Sequence, residues 1–227
     1  MQIDVQYRPS YSLAVVRLDD GEAIHAESGA MVSFSSTVEI ETGLRGGLLG
    51  ALKRKILGGE SFWQNTFTAE GGPGEVTLAP TLPGDVVQID LQGDGIVIQS
   101  SSYLAAGTGV DVDTKWGGAR AFFSKEGLFM LKAEGTGPVL VSSYGAIHCR
   151  ELAAGEVYTV DTGHMVAFEA GVDYDVRPVG GLKSSALSGE GLVCRYTGPG
   201  RVWIQTRSED AFLGWLIPQL PAPRSSS

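Results

Sequence analysis

Only two cysteines and three histidines occur among the 227 residues, and this scarcity removes whole classes of chemistry. Cys149 and Cys194 lie far apart, each inside a strand-like run, so they form no disulfide framework and read as buried free thiols. His25, His148 and His164 include no pair at His-x-His or i, i+4 spacing, the arrangements that bring two imidazoles onto one metal. The His-x-His run of cupin metal sites is therefore absent. There is no Gly-x-Ser-x-Gly elbow for a hydrolase nucleophile, and no βαβ unit in which a glycine-rich loop would cradle phosphate. The expectation is a protein that is not an enzyme and carries no metal or other cofactor.

Positive charge is also short. Lys and Arg total 17 against 26 Asp and Glu, giving a formal charge of −9, a field that repels phosphate backbones, so no nucleic-acid partner is expected. No apolar run approaches bilayer-spanning length, and the start Met1-Gln2-Ile3-Asp4-Val5 has neither the basic nor the apolar region of a secretion signal. The expected location is cytoplasmic.

Glycine, by contrast, is abundant at 32 residues, with 10 prolines, as many tight turns between short strands require. The punctuation recurs. A glycine pair stands at Gly46-Gly47, Gly117-Gly118 and Gly180-Gly181, and a Gly-Pro turn follows each at Gly72-Pro73, Gly137-Pro138 and Gly198-Pro199. Ahead of each pair lies an alternating strand, over Val38–Glu41, Val110–Asp113 and Tyr174–Arg177. The outward carboxylates of the first two read as a solvated face. These landmarks predict one all-β domain over residues 1–217 with an internal pseudo-threefold repeat, the copies covering about 13–83, 86–145 and 147–208. Units of about five strands joined by short hairpins must pair antiparallel and share a core. The predicted architecture is an antiparallel β-sandwich or barrel of double-stranded β-helix type. Ser208 ahead of Phe212, Trp215 and Ile217 predicts a short C-terminal helix stopped at Pro218, with residues 218–227 a loose tail.

The first copy carries an insertion after its glycine pair. Leu48, Leu52 and Ile56 recur every four residues beside Leu49, and Lys53, Arg54 and Lys55 flank them as the densest basic cluster in an acidic chain. As a brief helix the segment would present an apolar stripe with a basic border, suited to a partner protein or peripheral membrane contact, or to covering the open end of its own core. Three basic residues supply about 3 kcal/mol at an anionic surface, too little to anchor a protein alone. Trp63 just after the insertion and Trp116 before the second glycine pair are the candidate ligand-stacking aromatics; core packing is the alternative.

The stretch Gly58-Gly59-Glu60-Ser61-Phe62-Trp63-Gln64-Asn65-Thr66-Phe67, followed by Gly74–Pro80, Leu82–Asp85, Ser100–Ala105 and Gly214–Pro218, resembles the altered-inheritance-of-mitochondria family, in bacteria long catalogued as a domain of unknown function. The resemblance spans essentially the whole chain. It implies a fold like that of the tryptophan-RNA-binding attenuator, without carrying RNA binding across. By analogy with mitochondrial members it also implies a scaffolding role near a membrane. Together these readings predict a non-enzymatic assembly protein, expected to be a homo-oligomer, or else a small-molecule binding module with its site inside the β fold.

Overall fold

The computed structural model describes residues 1–43, 64–113, 122–123, 128–179 and 191–221. The architecture is all-β and antiparallel, as the alternation requires, with one short helix among the described residues. The first strands are β1 (Gln2–Gln6), β2 (Leu13–Leu18), β3 (Ala23–Glu27), β4 (Met31–Phe34), β5 (Val38–Gly43), β6 (Gln64–Ala69) and β7 (Gly74–Leu78). Next come β8 (Val86–Gln99), β9 (Tyr103–Gly107), β10 (Val110–Asp113), β11 (Phe122–Phe123) and β12 (Leu128–Ser142). The last are β13 (Ile147–Leu152), β14 (Val157–Asp161), β15 (Met165–Glu169), β16 (Asp173–Pro178), β17 (Leu192–Thr197) and β18 (Gly200–Gln205), before helix α1 (Glu209–Leu216).

Three sheets result, in the orders β1-β2-β7-β4, β13-β18-β15-β8-β12-β9-β3-β6-β5 and β14-β17-β16, with β10 and β11 added against β12. Each is an open path with two ends, so the sheets do not close into a barrel. They face one another across packed side chains. Ala14, Val16 and Leu18 of β2 meet Ile24, Ala26 and Phe67 of the large sheet in one cluster, and Val160, Cys194 and Tyr196 of the small sheet meet Val97, Met130 and Phe168 in another. Fully burying side chains of this size contributes about 1.5–3 kcal/mol each.

The apolar runs Val86–Leu91 and Ile96–Ile98 have the length of separate strands, but the chain runs through both unbroken as β8, and β12 likewise joins Leu128–Leu131 to Val139–Val141. Glycine makes this possible. Gly93 at φ 92° and Gly135 at φ 128° lie within the register shift between Glu134 and Thr136, so the paired strands bend without ending their ladder. The bend lets one sheet bury both halves of β8 in a single cluster, with Ile89 and Leu91 beside Ile96 and Ile98.

One expectation needs correction. Cys194 is buried in β17, but Cys149 is exposed: it sits on β13, the terminal strand of its sheet, whose residues His148 to Glu151 are all exposed. α1 is capped by Ser208, whose side chain accepts from the Ala211 amide, and Ile217-Pro218-Gln219 continue as a 3-10 turn with Pro in its first positions, where a missing N–H costs nothing.

Candidate functional site

Leu48, Leu49, Leu52, Lys53, Arg54, Lys55 and Ile56, together with Trp63 and Trp116, all lie outside the described residues. The described part of the molecule defines the ground on which the first of these segments is mounted. β5 enters it and β6 leaves it, and the two strands pair in register from Val38 opposite Ala69 to Gly43 opposite Gln64.

At that root stands a buried polar cluster. Gln64 Nε2 donates to the hydroxyl of Tyr103 at 2.7 Å, the Tyr103 hydroxyl donates to the His25 carbonyl at 3.5 Å, and His25 Nδ1 pairs with Thr66 Oγ1 at 2.9 Å. Tyr103 is fully buried and Gln64 nearly so, while the buried Asn65 Oδ1 has no hydrogen-bond partner. Tyr103 and Gln64 meet because β9 and β6 both pair with β3. Sequence reasoning missed the cluster because its members come from three distant strands, and within β6 Gln64 falls on the same face as Thr66 and Thr68, opposite the core residues Phe67 and Ala69, where alternation predicts a solvated side chain. Beside it in β3, burial pushes the Glu27 carboxyl up to about 7.

A second surface lies at the C-terminal end. No residue of α1 is buried, and Leu213, Trp215 and Ile217 stand exposed, Trp215 by 64%. Phe212 packs edge-on to Tyr144 at 5.9 Å and lies 6.3 Å from Trp215. Tyr144 is tied to the framework through its amide, which donates to Gln205 Oε1 at 2.9 Å. Nearby in sequence, Gly145 bridges Gly84, and the Gly84 carbonyl accepts from Ser12, next to exposed Tyr11. An eight-residue helix is marginal alone. Here it is held by its cap and the Tyr144 contact, with its aliphatic residues facing out.

Two grooves open near the N-terminus, of about 490 Å³ beside Arg17, Ser35 and Glu75 and about 300 Å³ beside Gln88, Thr108 and Pro138. Among the described residues no three His, Cys, Asp or Glu side chains come together as metal ligands. His164 is occupied by a 2.7 Å bond between Nδ1 and the Gln205 carbonyl. No helix among the described residues is long and apolar enough to cross a membrane.

The fold and these surfaces define an open antiparallel all-β protein with an exposed apolar C-terminal end. The chain belongs to the family described as mitochondrial biogenesis AIM24, which matches residues 3–207. It is 29% identical over 229 residues to an uncharacterized protein of Streptococcus pyogenes serotype M6, covering 97% of this chain and 92% of that one. A crystal structure of a Streptococcus pyogenes protein superposes with a TM-score of 0.82 at 28% identity, covering 96% of this chain and 99% of the other.

Proposed function

We propose that this is a non-enzymatic assembly protein of the cytoplasm, a homo-oligomer whose β framework presents the 48–57 segment and the α1 surface to a protein partner or to a membrane. The observation that carries this reading is α1: a capped helix with no buried residue, whose Leu213, Trp215 and Ile217 face outward. Apolar surface clustered in this way marks an interaction site more often than chance exposure does. The basic trio beside Leu48, Leu52 and Ile56 adds a charge of opposite sign to the rest of the chain, which orients the molecule toward an acidic surface.

The test is replacement of Lys53, Arg54 and Lys55 by Glu. Flotation with anionic vesicles, or co-purification of a partner, is expected to fall at least tenfold with the melting temperature nearly unchanged; unaltered association would reject the reading. A second reading, a small-molecule site inside the β fold near Trp63 or Trp116, is favoured by the buried Gln64–Tyr103 pair and the unpartnered Asn65 Oδ1, two residues from Trp63 in sequence. Its test is a ligand-dependent thermal shift that Trp63→Ala or Trp116→Ala removes.

A further inference from the structure

The two smaller sheets are incomplete in complementary ways. In the large sheet, β9 pairs with β3 through Gly107 with Ile24, Ala106 with His25 and Ala105 with Ala26. In the same sheet β15 pairs with β8 through Ala167 with Ile98, Phe168 with Val97 and Glu169 with Ile96. These two junctions have the same construction. Each incoming strand is also bonded on its other side across a one-residue register shift, β9 to β12 opposite Leu140 and Val141, and β15 to β18 between Met165 and Ala167.

β4 has the same local construction. It pairs with β7 through Met31 with Leu78, Ser33 with Thr77 and Phe34 with Val76, with the shift at the same rung. Its other edge pairs with no described strand, and it ends its sheet. The consequence is visible in burial. Every residue of β9 is buried and so are Met165 to Phe168 of β15, whereas all four residues of β4 are exposed. Phe34 is 43% exposed where Phe168, on the matching rung, is 0%. Val32 is 57% exposed.

The strand that matches β3 and the second half of β8 in the last third of the chain is β14. Ile24 opposite Phe67 and Ile96 opposite Ala133 correspond to Tyr158 opposite Tyr196. β14 also ends its sheet, pairing only with β17 among the described strands, with Val157 43% exposed. Among the described strands, the four-stranded sheet therefore ends on a strand whose receiving edge is unused, and the three-stranded sheet ends on the strand type that fills such an edge elsewhere in the chain.

We propose that β4 of one chain receives β14 of a second copy, antiparallel, so that the two small sheets fuse into one seven-stranded sheet across the subunit boundary. The two internal junctions set the register: Ser33 opposite Val160, Phe34 opposite Thr159 and Ser35 opposite Tyr158. The occupant is a second copy because β4 and β14 of one chain each end a separate sheet and do not pair with each other, while the same contact is made twice elsewhere in the chain, in one register and with one bulge. The contact is head-to-tail. It leaves a free β4 at one end and a free β14 at the other, so it repeats until the rotation between subunits closes a ring. Pairing also removes two open sheet edges, which otherwise invite unspecific strand addition.

The proposal deepens the assembly reading and rests on it for its biological meaning. Its test uses the full chain in a Cys149→Ser background carrying Phe34→Cys and Thr159→Cys. Directly opposed residues of an antiparallel pair lie about 4.5–5.5 Å apart at Cα, within disulfide reach. Mild oxidation is expected to give a non-reducing ladder at multiples of the 23.9 kDa chain, while a chain carrying only one of the two introduced cysteines beside the buried Cys194 gives none. A disulfide formed only within one chain, or no cross-link at all, would overturn the proposal. Independently, sedimentation of the unaltered protein at tens of micromolar is expected to give a mass several times that of one chain. Val32→Lys with Phe34→Lys is expected to return it to a single chain, the substitutions being tolerated because both positions are already exposed. A wild-type protein that sediments as one chain yet still binds vesicles through the basic trio would sink the edge pairing and the homo-oligomer with it, and leave only the docking part of the assembly reading in place. A multimer indifferent to charge reversal of that trio would do the reverse.

Discussion

Two carboxyls set the pH behaviour of the described core, with opposite sign. Asp85 is 1% exposed and holds the Arg8 guanidinium with both oxygens, at 2.7 and 2.9 Å, while accepting from Ser12 Oγ at 3.2 Å and the Val86 amide at 2.9 Å. Burial alone would raise its pKa, but the hydrogen bond and charge of Arg8, with the Val86 and Ser12 donors, together outweigh burial and leave it below the usual carboxylate range. Its contribution is present above the unfolded value near 3.9 and is lost as pH falls through the folded one. Asp85→Asn is expected to cost about 1–2 kcal/mol in urea unfolding at pH 7, less than for a fully buried pair because the Arg8 side chain is 48% exposed, with the loss shrinking toward pH 3. Glu27 behaves the other way: with its pKa raised to about 7, the folded state holds a proton that the unfolded chain has released. Its contribution is fully present below about 4.3 and declines as pH rises through 7. Glu27→Gln is expected to be more stable than wild type at pH 8 by about 1 kcal/mol, allowing for partial exposure, and equal to it at pH 4. Equal stabilities at pH 8 would refute this.

At the scale of elements, most strands were legible in the sequence because a half-buried strand alternates with period two, and Val110-Asp111-Val112-Asp113 does so residue by residue in both sequence and burial. α1 was legible for a different reason, a cap and a proline at the right distance. The continuity of β8 and β12 was not, since Gly93 and Gly135 read as turns locally and become bends only because the partner strand keeps bonding past them. Nor was the exposure of Cys149 legible, because a strand becomes a sheet edge through the pairing of all the others. Gly84 belongs to this scale too. Its bridge to Gly145 leaves no room for a side chain, as a Cβ there would collide with the Ser143 carbonyl. Gly84→Ala is expected to lower stability by more than about 3 kcal/mol, an exceptional cost for one methyl group, measurable as a drop in melting temperature; a shift of only a degree would show that the bridge yields.

For the whole molecule, the recurrence of glycine landmarks pointed to the architecture more clearly than to any chemistry. Fold and family could be read from patterns spread along the chain, whereas a site depends on which distant strands converge, as Gln64, Tyr103 and His25 do. The candidate segment 48–56 was found by composition, a basic cluster in an acidic chain, and composition does not give placement. The described thiols have a practical consequence at this scale. Burial pushes the Cys194 thiol up to about 12, which leaves it inert to alkylation in the native state, while Cys149 stands in solvent on a terminal strand. With two cysteines in the chain, a maleimide dye added at pH 8 is expected to attach once per native subunit, and twice after denaturation. The protein thus comes with a single natural labelling position, so separately dyed donor and acceptor batches, mixed, would report subunit exchange by energy transfer without any engineered residue.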